Sequence, residues 1–202
     1  AGAAFDTQGI TLFLVDPKTP GVRIQGYPTL DGRQAATIEF KDVRVDANRV
    51  LGPAGGAFAL IDSAVDRAIA VLCAEATGAL DALIALTVDF VKVRKQFGVP
   101  LGKFQVLQHR LVDMTIGLEG AKSMASVAAM AIDSAEPAQR RRLISAAKVQ
   151  IGNVGRFVSE WSIQMHGAMG MTEEYQAGHY VKRLMVIDQL FGNAQHHLRL
   201  FA

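Results

Sequence analysis

Four segments carry residue types at spacings that can do chemistry. Val93-Arg94-Lys95-Gln96-Phe97-Gly98-Val99-Pro100-Leu101, followed by Phe104-Gln105 and Gln108-His109, puts a guanidinium, amide donors and an aromatic beside a glycine. An arginine offers planar, bidentate donors to phosphate, and amides near a helix start add more. The same string also reads as a plain helix stop, with Gly98 as C-cap and Pro100 marking a restart. Gln164-Met165-His166-Gly167-Ala168-Met169-Gly170 is a helix end whose glycines let a backbone approach a ligand closely. A lone His166 fits equally well as a satisfied core histidine.

Leu190-Phe191-Gly192-Asn193-Ala194-Gln195-His196-His197 ends in two adjacent histidines. Neighbouring helix positions point about 100° apart, and no cysteine or acid lies close in sequence, so no metal site is expected. Asp62 and Asp66-Arg67 lie one turn apart early in a long helical pattern. They read either as a solvated face or as a working carboxylate beside an arginine.

Two kinds of element must position these residues. Up to residue 56 the pattern is β. Gly9–Val15, Val22–Ile24, Ala36–Phe40 and Val43–Val45 are short apolar or alternating runs separated by turn residues such as Leu30-Asp31-Gly32. Four such strands are too few for an independent core. After Gly52-Pro53-Ala54-Gly55-Gly56 the period becomes helical. One helix is expected from about 57 to Arg94, a second from Phe104 to Ile132, and a third from Pro137 to His166. A fourth spans Glu174 to Leu190. Short connections make these an up-down bundle. The fold expected is therefore mainly α: a four-helix bundle over 57–202, preceded by the last antiparallel strands of a β-barrel-like domain over 1–56.

The chain has 202 residues, of which 50% are hydrophobic, with one cysteine and a net charge of +2; its mean hydropathy is +0.20. That apolar share excludes a disordered chain. The near-zero charge gives no footprint for nucleic acid. One cysteine excludes an internal disulfide and points to a reducing cytoplasm. Charges interrupt every long apolar run, so no membrane span is expected. The chain lacks an initiator Met and opens on a strand, which reads as a fragment.

Taken in order, the motifs resemble the acyl-CoA dehydrogenase family. Arg94 to Leu101, Phe104-Gln105, Gln108 and Leu111-Val112-Asp113-Met114 look like its R-x-x-F-G-x-x-L…F-Q…Q…L-A-D-M signature. Gln164 to Thr172 resembles its Q-x-x-G-G-x-G stretch, with Ala168 for the second glycine. Gly9 to Leu51, including Phe40-Lys41-Asp42-Val43-Arg44-Val45, is similar to the end of its middle domain. The resemblance spans the chain but only the C-terminal half of the family's fold.

It implies FAD and dehydrogenation of an acyl-CoA thioester: a carboxylate takes the α-proton and the β-hydrogen leaves as hydride. It also implies that Arg94, Gln96, Phe97, Gly98, Phe104, Gln164, His166, Gly167, Asn193 and Gln195 contact cofactor, part of it belonging to a neighbouring subunit. The implied partners are the acyl-CoA, an electron-transfer flavoprotein or similar acceptor, and a homotetramer or an α2β2 heterotetramer with a paralogous subunit, in a bacterial cytoplasm.

One departure stands out. The family's usual base lies in a Y-E-G-T segment, which an ungapped match from Gln164 places on Leu190 to Asn193, with Phe191 at the Glu. Some relatives carry the base on the first long helix before an arginine, which here is Asp66 before Arg67. Thr172 to Leu184 and the Phe191-Gly192-Asn193-Ala194 ending look like small subunits of bacterial heteromeric acyl-CoA dehydrogenases. The readings are thus an enzyme using Asp66 and Arg67, a structural FAD-binding subunit, or a flavin oxidase or monooxygenase on the same fold.

Overall fold

The structure is a computed structural model that describes residues 6–133 and 136–201. The chain divides into two compact units, Ala1–Val65 and Asp66–Ala202.

In the first unit, β1 (Leu12–Phe13) pairs antiparallel with β4 (Val50–Leu51), and β2 (Val22–Pro28) pairs with β3 (Gln34–Phe40). The β2–β3 register runs from Val22↔Phe40 to Pro28↔Gln34. Its turn is closed by Thr29 and Arg33 around Gly32, whose φ is +77°. Ile24, Tyr27, Ile38 and Phe40 are all exposed. A two-stranded ribbon with bare apolar side chains cannot supply its own core.

Val43–Val45 is not a strand. The β2–β3 pairing extends one step, to the Lys41 N–H on Gly21 O, and then Asp42 takes φ 52° and turns the backbone out of the ladder. The fourth strand lies instead at Val50–Leu51, after a single 3₁₀ turn at Ala47–Arg49. It is two residues long, so it holds only Leu12–Phe13 of the Gly9–Val15 run.

α1 (Phe58–Val93) begins in the first unit and continues through the second, where α2 (Gln105–Ala131), α3 (Pro137–His166), α4 (Gln176–Gln189) and α5 (Ala194–Phe201) follow. Pro137 opens α3 at its first turn, where a missing N–H costs nothing.

Side-chain pairs fix the helix directions. Asp66 meets Arg140 and Thr87 meets Ser162, separations of 74 and 75 residues, so α1 and α3 run parallel. Glu75 meets Arg183 and Phe90 meets Tyr175, so α4 runs antiparallel to α1. α2, joined to α1 through Asp81–Lys122, sets Gly117 against Val154 and Gly120 against Gln150, so it runs antiparallel to α3. The result is the expected up-down bundle.

Its core includes Leu72, Leu80 and Leu83 of α1, Met114 and Leu118 of α2, Ile144, Ile151 and Val158 of α3, and Leu184 and Ile187 of α4. Alanines at 121, 125, 128 and 131 let α2 approach closely. By length and composition α1 could cross a bilayer. Its Asp66, Glu75 and Asp81 instead pair with three other helices, as in the central helix of a bundle.

Two expected boundaries shift. α4 starts at Gln176, not Glu174, because a 3₁₀ segment over Gly167–Met171 and the turn after it occupy the residues between. The segment after Leu190 contains a fifth helix, α5. Eight residues are too few to show a helical period in sequence.

Candidate functional site

Apart from Asp62, which falls in the first unit, the singled-out residues lie in the helical unit and gather at its two ends. The first end is built by the C-termini of the parallel helices α1 and α3. α1 stops at Val93, and a small hairpin follows: β5 (Lys95–Gln96) pairs with β6 (Val99–Pro100). The Leu101 N–H bonds to Arg94 O below it. Gly98 is therefore not a helix C-cap but half of a two-residue hairpin turn.

Phe97 has φ 54° and Gly98 φ 83°. Both central residues at positive φ define the type I′ turn that matches strand twist. Glycine takes this conformation freely, while a bulky side chain there is strained. Phe97 is nonetheless 89% exposed, edge-on to Phe104 at 6.0 Å. Arg94 and Gln96 are exposed beside it, and no carboxylate pairs with Arg94 among the described residues. Gln108 Nε2 donates to Gly102 O and fixes the loop into α2.

The α3 terminus adds Gln164, His166 and Gly167. Gln164 is exposed. His166 is 4% exposed, with its ring 4.4 Å from Phe90 and 5.0 Å from Tyr175. Its Nδ1 lies 2.7 Å from Ser162 O; a carbonyl only accepts, so Nδ1 carries the proton and Nε2 keeps a lone pair without a partner. Burial pushes this imidazole below the usual histidine range, and the Ser162 carbonyl partly opposes it. His166 is thus a core histidine in its side chain.

Gly167 follows at φ 60°, ψ −138°, a region reserved for glycine. A Cβ on Gly167 or Gly98 would meet nothing within 4 Å. Backbone angle, not crowding, demands glycine at both, and both backbones are open to a ligand. The Phe90–His166 contact places Arg94–Gly98 and Gln164–Gly167 at the same end.

The second end holds Asp66, Arg67 and the α4–α5 turn. Asp66 is 4% exposed, and its Oδ2 accepts a 2.8 Å hydrogen bond from Arg140 Nε. It does not lie on a solvated face; Arg67, one residue on, does. Phe191 has φ 56° and Gly192 φ 99°, and Phe191 is 48% exposed.

Two buried side chains hold this turn. Lys148, fully buried, donates from Nζ to Ile187 O at 2.6 Å, Asp188 O at 2.9 Å and Gly192 O at 3.0 Å. These carbonyls include the open end of α4, where a cation also opposes the helix dipole. Burial lowers the Lys148 pKa, opposed by the Asp188 carboxylate. His197 Nε2 lies 3.0 Å from Phe191 O and must donate to it; Nδ1 then accepts from Ser145 Oγ at 3.1 Å. Its pKa is lowered, first by burial.

Asn193 commits one side-chain atom to the fold and leaves its amide N–H donors to other partners. Its Oδ1 accepts the His196 N–H and caps α5. Gln195 is exposed. The His196 and His197 rings stand 5.2 Å apart at 85°, and no metal-holding cluster of His, Cys, Asp or Glu occurs among the described residues.

From Asp66 to Phe90 is 24 residues of α1, so the two ends are about 36 Å apart. The sequence analysis does not single out Arg140 or Lys148, and it weighs His197 only as a metal ligand, not as a partner of the Phe191 carbonyl. Lys148 carried a signal: it stands on the apolar stripe Ile144, Ile151, Gly155, Val158 of α3, where a lysine is out of place.

Comparison with known proteins gives consistent matches. A family model described as acyl-CoA dehydrogenase, C-terminal domain, matches residues 55–202. The human mitochondrial short-chain specific acyl-CoA dehydrogenase is 27% identical over 195 residues, 95% of this chain and 47% of that protein. Butyryl-CoA dehydrogenase from Megasphaera elsdenii superposes with a TM-score of 0.81 at 25% identity, over 99% of this chain and 52% of that one. The ChsE4–ChsE5 complex from Mycobacterium tuberculosis gives a TM-score of 0.80 at 22% identity, over 94% of this chain and 50% of that one, a likeness of fold. The chain spans about half the length of the proteins it matches.

Proposed function

This chain belongs to the acyl-CoA dehydrogenase family, in the part described as its C-terminal domain, and from that premise we propose that the full-length protein dehydrogenates an acyl-CoA thioester between Cα and Cβ. Relatives in the family are FAD-dependent flavoproteins. The first end of the bundle fits that cofactor. An uncommitted Arg94 suits a pyrophosphate, an exposed Phe97 suits a heterocycle, and Gly98 and Gly167 leave their backbones open. Gln96, Phe104, Gln164 and the backbone at His166 complete the holding set. When bound, FAD supplies the hydride acceptor.

Asp66 is the proposed base. Arg140 holds Oδ2 and so fixes the carboxylate, leaving Oδ1 to take the α-proton. Arg67 supplies positive charge from the adjacent exposed position. The 36 Å between the ends supports an oligomer, because Arg94–Phe97 and Asp66 then serve different cofactor molecules. The assembly is a homotetramer or an α2β2 tetramer with a paralogous subunit, reoxidised by an electron-transfer flavoprotein or similar acceptor.

The observation that carries the reading is Phe97, held exposed at a strained φ beside Arg94. The test is the visible spectrum of the full-length protein, alone and with a co-purifying paralogue, titrated anaerobically with acyl-CoA. Wild type should bleach, and Asp66→Asn should retain flavin but lose bleaching. Bleaching of the Asn variant at the wild-type rate would exclude Asp66.

A second reading, a structural FAD-binding subunit, is favoured by Phe191 in the place of the usual Glu. It predicts flavin that no acyl-CoA bleaches unless the paralogue is present. Rapid reoxidation by oxygen would mark an oxidase instead.

A further inference from the structure

We infer that the His166 side chain is a positioning residue for the flavin grip: as a neutral imidazole it pins the backbone of Gln164–Gly167 and of Arg94 in one arrangement, and a proton on its second nitrogen releases both. This rests on the flavin reading above and adds a role for the ring to the backbone contact already given to His166.

Contacts on several sides carry the inference. The ring lies 4.4 Å from Phe90 of α1 and 5.0 Å from Tyr175, the residue before α4. The Phe90 carbonyl accepts the Arg94 N–H, so the ring braces the turn from which the Phe97 hairpin rises. The 3₁₀ segment packs so close that a Cβ on Gly170 would stand 3.0 Å from His166 Cβ. A buried hydrogen-bond chain ties the two helices at this point. His166 Nδ1–H donates to Ser162 O, Ser162 Oγ lies 3.0 Å from Thr87 Oγ1, and Thr87 donates to Leu83 O. The ends of α1 and α3 and the stretch leading into α4 thus meet at one imidazole.

That imidazole is satisfied on one side only. Nε2 is shielded from solvent and has no hydrogen-bond partner. A phenylalanine would fill the space without the cost of burying a lone pair. The site accepts only the neutral ring, because a proton on Nε2 would be a buried charge with no acceptor. The neighbouring elements bring no compensation. On α1, Asp89 pairs with Lys92; before α4, Glu173 pairs with Lys182; on α4, His179 donates to Glu173 O; on α3, Glu160 is exposed. The Tyr175 hydroxyl is itself held above its usual range, by burial and by the Asp89 charge.

Acid therefore enters by opening the contact. The ring must leave Phe90 and Tyr175 for water, and the Gly167 backbone and the Arg94 turn lose their brace together. The ties at Asp66–Arg140, Glu75–Arg183 and Lys148 take no part in this contact and hold the rest of the bundle.

The test follows FAD release from the full-length flavoprotein, by the rise of free-flavin fluorescence, for wild type, His166→Asn and His166→Phe. Asn keeps a donor for Ser162 O, Phe keeps the ring, and neither titrates. An open form with the ordinary histidine value of 6.5 gains about tenfold between about pH 7.5 and about pH 5.5. Wild type should therefore release FAD several-fold faster at the lower pH, while each variant changes by less than about twofold. Hydrogen exchange of wild type, corrected for intrinsic rates, should quicken at 163–170 over the same interval and not at 144–151. Unchanged protection at 163–170, or equal acid acceleration of release in wild type and variants, overturns the inference and leaves the flavin reading intact. Wild type that neither holds FAD at about pH 7.5 nor takes it up overturns both.

Discussion

The two ends of the bundle each carry a Phe-Gly turn at positive φ, supported in opposite ways. Phe97-Gly98 closes a two-residue hairpin whose support is backbone pairing and an edge contact with Phe104. Phe191-Gly192 closes a helix–helix turn whose support is a buried lysine and a buried histidine. The difference is one of available partners. A hairpin satisfies its own N–H and C=O groups, whereas the end of α4 leaves carbonyls that side chains must take up. The same dipeptide is therefore cheap to frame at one end and requires buried charge at the other.

Removing that charge is the strongest way to break the comparison. Lys148→Met keeps the side chain's length but strands three carbonyls at the end of α4. Losing charge-assisted hydrogen bonds in a buried site should cost about 3 kcal/mol, read as a lower urea midpoint of the full-length protein. A loss as small as that of an exposed lysine would show that the turn supports itself. Next in size is Gly152→Ala. A Cβ there would stand 2.3 Å from Asp188 Oδ1 and 2.9 Å from the Ala194 side chain. Wedging α3 away from the α4–α5 turn should cost about 2 kcal/mol and lower Tm, while leaving the Phe97 hairpin and flavin content unchanged.

Acid distinguishes the ends further. His166 and His197 are both held below the usual histidine value of 6.5 by burial. The unfolded chain therefore binds protons that the folded one refuses. Stability is full above about 6.5 and falls as pH drops through that value toward the lowered folded-state pKa. At His197 the added proton falls on Nδ1 and removes the acceptor for Ser145; at His166 it falls on Nε2, between two rings. Denaturation midpoints measured from about pH 7.5 down to about pH 5.5 should decline, and His197→Gln should flatten part of the slope. A slope unchanged by that variant would place the whole acid response elsewhere, His166 first.

These comparisons also show what sequence could and could not display. The bundle was legible because Ile69, Cys73, Ala76, Leu80 and Leu83 repeat at helical spacing over many turns. The end of α3 was legible from Gly167. The hairpin was not, because two-residue strands have no period to read and a Phe in a type I′ turn breaks the expected Asn-Gly pattern. Asp66 drew attention by its neighbour Arg67, yet its partner is Arg140, 74 residues away. Long-range ion pairs leave no local mark. Asn193 also caps α5, a role that an asparagine before a helix takes by default.

The smallest effect on stability should come from Phe97→Gly, and it sharpens the comparison most. Phe97 has little to lose in packing, since it is 89% exposed and touches the Phe104 ring only edge-on. Relief of the left-handed strain is offset by the greater freedom of glycine in the unfolded chain. The net change should be a gain of less than about 1 kcal/mol, seen as a slight rise in Tm. Flavin retention should move the other way: dialysis of the full-length variant should release FAD faster than wild type, because the exposed aromatic is gone while Arg94 and Gly98 stay in place. Phe191→Gly should show the same gain in stability with no loss of flavin. If both variants release flavin alike, the ends do not divide the work, and the separate roles given to them fail together.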